Sequence, residues 1–433
     1  MNQSTKHIDY IIEFLLGEKN KALCKYISYG ECNSSKVIIL PSGFFSDSVY
    51  LKHESLPTEP IQAIEGIPFL YGENRKEFKD GKIVLHADII ASTFFLISRY
   101  EECLNRKNRD THGRIRARDT VAGKLFLDRC VVDEYGELLR RCLRETGVSV
   151  SEPDKRIKHI YLTHDVDNIW SWTPMEACKE FARRILKQKK NPLLPIKALF
   201  NYEKNDPSYS FPYIVRLEDD FKKTISTKCD VIYFLMGANK HTQYDFGYIK
   251  NHRRTRKLTS LINNHGIIGY HVSYFAKDHI EKQKEEINRV SALVGNEIHH
   301  SRNHYLANKN PEDFKVLIDN GITDDFTMGF AEKTGFRLGT CRAVRWINPQ
   351  TKEVTNLVLH PLTVMECTLD RASYMNIKDE EEAFVIVKRL IDLIKNYNGE
   401  VVLLWHNQSF SDEGTYYNSL YLKVLDYLKA LEK

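Results

Sequence analysis

The chain has no apolar run long enough to cross a bilayer. The longest, around 89–97, falls well short of the ~20 residues a spanning helix needs. It has no low-complexity tract and no Cys-x-x-Cys, and its nine cysteines are scattered and odd in number. That pattern excludes a zinc knuckle and a disulfide frame, and it reads as reduced thiols in a cytosol. Charge of one sign is not in excess either. Lys and Arg number 63 against 58 Asp and Glu, a net of +5, so nucleic acid is not implied. A P-loop, a dinucleotide glycine pattern and a nucleophile elbow are all missing, which removes three common chemistries. The first residues, Met1-Asn2-Gln3-Ser4-Thr5-Lys6-His7, run into Asp9 and Glu13 before any long apolar stretch. They do not read as a signal peptide, and a cytoplasmic protein is expected.

What is present is a soluble, globular composition. The 433 residues are 42% hydrophobic and 28% charged, enough for more than one domain. The first ~150 residues read as an α+β unit. Helices are expected over 8–16, 87–104 and 132–144, and strands over 23–29 and 37–40. An arginine-rich loop covers 109–116. Ser151-Glu152-Pro153-Asp154-Lys155 is a polar joint, which divides the chain into 1–152 and 153–433. Beyond it strands alternate with helices. Strands are expected over 160–163, 231–235, 266–271, 297–301, 322–327, 357–366 and 401–406. Helices are expected over 278–294, 311–320 and 381–397. About seven such strands make an α/β fold with a parallel sheet closed into a (β/α) barrel, beside a smaller α+β domain.

The stretch that organises this half is Tyr161-Leu162-Thr163-His164-Asp165-Val166-Asp167. An apolar run meets two acids at i and i+2, which project to one side of an extended chain. Paired acids need a proton or a cation between them, so one carboxylate on a metal and the other as a base is one reading. A capping pair at the end of a buried strand is the other. In barrels the chemistry sits at the C-terminal strand ends. Polar residues fall there repeatedly: Asp165 and Asp167, His271 and Ser273, Arg302 and His304, Asp325, His406 and Asn407. The stretch 177–200 interleaves seven lysines and arginines with Phe181, Ile185, Leu186, Leu193 and Leu194. It fits a solvated face over a packing stripe, or a basic amphipathic helix making peripheral contact with an anionic membrane.

Seven short motifs then fall in order: Thr163-His164-Asp165-Val166-Asp167, Gly269-Tyr270-His271-Val272-Ser273-Tyr274, Ser301-Arg302-Asn303-His304-Tyr305-Leu306, Thr323-Asp324-Asp325-Phe326, Gly335-Phe336-Arg337-Leu338-Gly339, Pro361-Leu362-Thr363-Val364-Met365-Glu366 and Leu404-Trp405-His406-Asn407. With them the chain resembles the polysaccharide deacetylases, carbohydrate esterase family 4. The closer resemblance is to a bacterial branch with an additional N-terminal domain of unknown function, which Ser98-Arg99-Tyr100-Glu101-Glu102 also resembles. This likeness implies a distorted (β/α) barrel that removes acetyl groups from an N-acetylated sugar in cell-surface polysaccharide synthesis, with a divalent metal, zinc above all, as cofactor.

By motif position, Asp165 matches the family's base, Asp167 and His271 its metal ligands, Arg302 an arginine that orients the base, and His406 the general acid. The family's second metal histidine would fall at Phe275, and the usual proline after the arginine is His304. His304 is therefore expected to supply the third ligand, with His279 as its competitor. Tyr305 is expected to offer a backbone N–H to an oxyanion. Two readings stay open at each of three further positions: Arg337 meets an anionic substituent or is structural, Trp405 forms a wall for a sugar ring or packs in the core, and Asp325 supports Arg302 or is structural. The missing histidine leaves open a barrel that only binds glycans. A glycosidase built on Asp165 and another carboxylate is a further alternative, which needs no metal.

Overall fold

A computed structural model describes residues 5–32, 34–187, 191–250, 252–411 and 415–432. Short strands open the chain: β1 (Ile27–Tyr29), β2 (Val37–Ile39), β3 (Gln62–Ile64), β4 (Ile67–Phe69), β5 (Gly72–Lys79) and β6 (Lys82–Ala87). They form a four-stranded sheet in the order β1-β2-β6-β5 and a separate β3-β4 hairpin. Helices Lys6–Leu16, Ile89–Ile97 and Val131–Glu145 accompany this sheet. The single helix expected over 87–104 breaks at Arg99, which takes φ 61°. The left-handed turn sends the Arg99 guanidinium onto Glu102 and Asn308 instead of letting the helix continue.

The larger sheet begins with β7 (His159–Val166), whose eight residues are all buried. Burial on both faces is what a central strand of a parallel sheet requires. There follow β8 (Cys229–Met236), β9 (Ile267–Val272), β10 (His300–Asn303), β11 (Asp324–Asp325), β12 (Val344–Ile347), β13 (Val354–Leu359), β14 (Val364–Met365) and β15 (Glu400–Leu404). Their order is β12-β13-β11-β10-β9-β8-β7-β15-β14, and only the β12-β13 edge pair is antiparallel. The fold is thus mixed α/β with a curled, half-barrel sheet.

Two expectations change. The sheet has nine strands rather than about seven, because 357–366 splits at His360-Pro361 into β13 and β14, and because β12 adds an edge hairpin. The hydrogen-bonded order ends at β12 and β14, so the described strands form an open curl, not a closed ring. The two main sheets stay separate in hydrogen bonding. One continuous cluster of buried apolar side chains nevertheless joins Leu15, Phe94 and Leu139 to Trp346, Leu162 and Leu403. All nine cysteines are free thiols. Among the described residues no helix is long and apolar enough to cross a membrane.

Candidate metal centre and its surroundings

Parallel pairing brings the C-terminal ends of β7, β9, β10 and β15 to one edge of the sheet. Asp165 and Asp167 face this edge. His164 lies on the other side, fully buried between Glu218 and the Trp405 carbonyl, so alternation along β7 sorts the three residues.

Asp167, His271 and His304 offer ligand atoms that all lie within 4.8 Å of one another. His271 Nε2 is 3.3 Å and His304 Nε2 3.4 Å from Asp167 Oδ1. Asp167 Oδ1 and His271 Nε2 are buried and make no hydrogen bond. Buried polar atoms are normally satisfied, and two orphans facing each other are a pair that a bound cation would satisfy. The far side of each ring is fixed. His271 Nδ1 donates to the Arg302 carbonyl at 3.0 Å, since a carbonyl can only accept. His304 Nδ1 donates to Asp245 Oδ1 at 3.0 Å. Both Nε2 atoms are therefore left to act as ligands, the arrangement metal-binding histidines adopt. One carboxylate and two imidazoles, partly open to solvent through Asp167, fit zinc or a similar divalent ion.

Asp165 lies beside this cluster. Its Oδ1 accepts from Arg302 Nη1 at 2.9 Å, and the same nitrogen donates to Thr163 Oγ1 at 2.7 Å. Arg302 Nε reaches the Phe326 carbonyl, and its guanidinium lies over the Phe234 ring at 4.6 Å. Across the cluster, His406 Nε2 is 3.7 Å from Asp167 Oδ2. Its Nδ1 donates at 2.7 Å to Glu366 Oε1, which also accepts from the His406 N–H and Ser409 Oγ.

The electrostatics follow from this crowding. Burial opposes charge on His406, but Glu366 and the two aspartates outweigh it and push the pKa up to about 10. Burial likewise opposes charge on His304, and Asp167 with Asp245 raises its pKa to about 9. Asp167 is held well below the carboxylate range: burial resists ionisation, but the charge of His304 outweighs it.

The other expected positions divide. Tyr305 is at the pocket, with φ 60°. His279 is exposed and begins helix Ile280–Val294, so it is not a ligand here. Phe275 is exposed, and its backbone N–H helps to hold Asp245. At three positions the structure decides between the open readings. Arg337 does not face a substrate: it is buried on Glu102 at 2.9 Å and on the Gly329 carbonyl. Trp405 is fully buried against Tyr421, with Nε1 on the Tyr417 carbonyl, so it is core and not a pocket wall. Asp325 accepts from Ser301 and Thr327 instead of pairing with Arg302.

Residues not expected also shape the site. Asp245 and Glu366 orient the two outer histidines. Asp245 stands in a loop with no pattern to expose it. Glu366 follows the apolar pair Val364-Met365, a polar strand end that was visible. The loop 109–116 reaches the mouth as well. Arg114 Nη1 donates to the Tyr305 carbonyl at 2.7 Å, and His112 stacks on the Tyr305 ring at 4.7 Å. Arg114, Arg371 and Tyr374 line the pocket with Asp165, Asp167 and His406.

Residues 1–147 match a family of unknown function, DUF7033. No curated protein matches. Among solved structures, similarity extends to a protein from Mycobacterium smegmatis assigned as a polysaccharide deacetylase: 14% identity, TM-score 0.41, 65% of this chain and 87% of that one. A mutant CE4 family pseudoenzyme with restored enzymatic activity has 12% identity, TM-score 0.32 and coverage of 66% and 69%. The allantoinase Puue has 11% identity, TM-score 0.38 and coverage of 65% and 88%.

Proposed function

We propose that this chain is a metal-dependent hydrolase that removes the acetyl group from an N-acetylated sugar. One observation carries the reading: a carboxylate and two histidines with convergent donor atoms, those of Asp167 and His271 orphaned, stand between a second carboxylate and a buried histidine–glutamate pair. Asp167, His271 and His304 would hold the metal, which when bound lowers the pKa of a water, polarises the acetyl carbonyl and, by its charge, draws His406 down from about 10.

The protein's own groups do the rest. Asp165 accepts the proton that the attacking water gives up, and Arg302 keeps its carboxylate aimed at that position. Thr163 and the Phe326 carbonyl lock Arg302 in turn. His406 holds its proton on Nε2, because Nδ1 is committed to Glu366, and delivers it to the departing amine nitrogen. The Tyr305 backbone N–H is proposed as a further donor to the oxyanion.

Acetate release from a panel of N-acetylated sugar nucleotides and oligosaccharides, with and without added zinc, tests this reading. Release that requires zinc supports it. Zinc-loaded protein that binds glycans yet releases no acetate would show a binding protein on this scaffold. Activity untouched by chelator would favour a two-carboxylate glycosidase.

A further inference from the structure

The connection between β7 and β8 rises from the rim of the candidate site. Ser171 N donates to Asp206 at 2.9 Å, and the Ser171 and Ser208 hydroxyls are bonded at 2.7 Å. Asn407, next to His406, donates to the Ser208 and Asn168 carbonyls. The base of the connection is therefore fixed. Its outer part holds helices Pro174–Lys187 and Leu194–Phe200.

An amphipathic helix normally turns its apolar stripe inward. The first helix does the reverse. Met175, Cys178, Ala182, Ile185 and Leu186 are all exposed, and at helical spacing they fall in one stripe about 100° wide. Lys179 and Arg183 border that stripe, while Ala177 and Arg184 are buried on the opposite face. In the second helix and its approach, Phe200 is 88% exposed and Leu193 is exposed too, with Lys197 between them. Five of the twelve large apolar side chains exposed among the described residues fall within 175–200. The reading of this stretch as an ordinary packing stripe fails at Ile185, Leu186 and Leu193, which are 58%, 79% and 50% exposed.

Charge coincides with the apolar face. Residues 171–205 contain eight lysines and arginines and three glutamates, a surplus of five. The other 398 residues contain 55 charges of each sign, so residues 171–205 hold a surplus equal to the net charge of the whole protein. A second copy would bring the same surplus against itself. Nucleic acid would leave Leu186 and Phe200 uncovered. An anionic interface with an apolar interior satisfies both features.

We propose that this outward face docks on the surface of an anionic lipid bilayer, with Met175, Ile185, Leu186, Leu193 and Phe200 entering the interface and Lys179, Arg183 and Lys197 meeting lipid headgroups. The inference goes beyond the chemistry proposed above and does not depend on it.

Co-sedimentation of the full chain with vesicles tests the docking. The protein is expected to partition onto phosphatidylcholine vesicles that contain phosphatidylglycerol, and not onto phosphatidylcholine alone, with binding that weakens as salt rises. Lys179→Gln with Lys197→Gln should lower partition roughly 25-fold, about fivefold for each cation removed. Leu186→Asp with Phe200→Asp should abolish it while the thermal unfolding transition is kept. Equal partition onto both vesicle types, or none onto either, overturns the proposal. So does a wild-type dimer that Leu186→Asp with Phe200→Asp dissociates in the absence of vesicle binding, because a second copy would then be the partner.

Discussion

Asp245 and His304 are joined by one hydrogen bond, the carboxylate accepting from Nδ1 at 3.0 Å, and that bond aims the opposite nitrogen at Asp167. Asp245 is itself held by the backbone N–H groups of Tyr274 and Phe275. Phe275, where the resemblance would place a histidine, thus supports through its N–H the carboxylate that holds His304. Asp245→Asn keeps the shape but weakens the acceptor and frees the ring. Zinc affinity should fall roughly 10- to 100-fold, read by competition with a chelator.

Asp165→Asn should leave zinc content intact, because Asp165 stands outside the donor cluster of Asp167, His271 and His304. Acetate release should fall roughly a hundred- to ten-thousand-fold. Full activity with bound zinc would remove Asp165 from the role of base.

Glu366→Gln tests the other side of the site. The His406 imidazole loses its charged acceptor at 2.7 Å, and the pKa that Glu366 raises to about 10 drops. Turnover should fall roughly tenfold or more with KM little changed, since in the proposed mechanism the pair acts on the leaving group and not on substrate capture.

At the opposite end of the sheet, His360 is buried between Glu400 at 2.7 Å and Asp324 at 3.0 Å. Burial works against its charge, but the two carboxylates raise its pKa to about 9. The folded state therefore binds this proton more tightly than the unfolded chain, whose histidines titrate near 6.5. The stabilisation is complete below about pH 6.5 and is lost as pH rises to about 9, on the order of 3 kcal/mol. Urea midpoints for the wild type should drop across that window, and His360→Gln should flatten the drop.

Glu102 sits between Arg99 and Arg337, all three buried, with Arg337 Nη2 at 2.9 Å. Glu102→Ala leaves two buried guanidinium groups without their shared carboxylate. The loss should be about 3–5 kcal/mol in unfolding experiments.

The gathering of Asp165, Asp167, His271, Arg302, His304 and His406 at one edge was legible, because strand periodicity and parallel order settle which side chains share that edge. The glycines around Arg337 were legible as special but not in purpose. They open no ligand loop. Gly335, at φ 124°, lies against the Leu127 carbonyl where no Cβ fits, and Gly339 lies against Leu96 and Val131. Both serve close packing onto the first part of the chain. Trp405 left two readings open, and alternation decides between them: its neighbour His406 faces the pocket, so the indole turns the other way into the core. Asp245 had no pattern around it, so only tertiary structure could bring it to His304.

The loop that carries His112 and Arg114 comes from the opposite side of the polar joint to every acid and histidine of the donor cluster. The two halves are therefore not interchangeable parts. Residues 153–433 without residues 109–116 would keep the donor cluster and lose one wall of its entrance. On the proposed function, drift in residues 109–116 would change selectivity while the donor cluster stands unchanged, and chimaeras that exchange this loop alone would read that change.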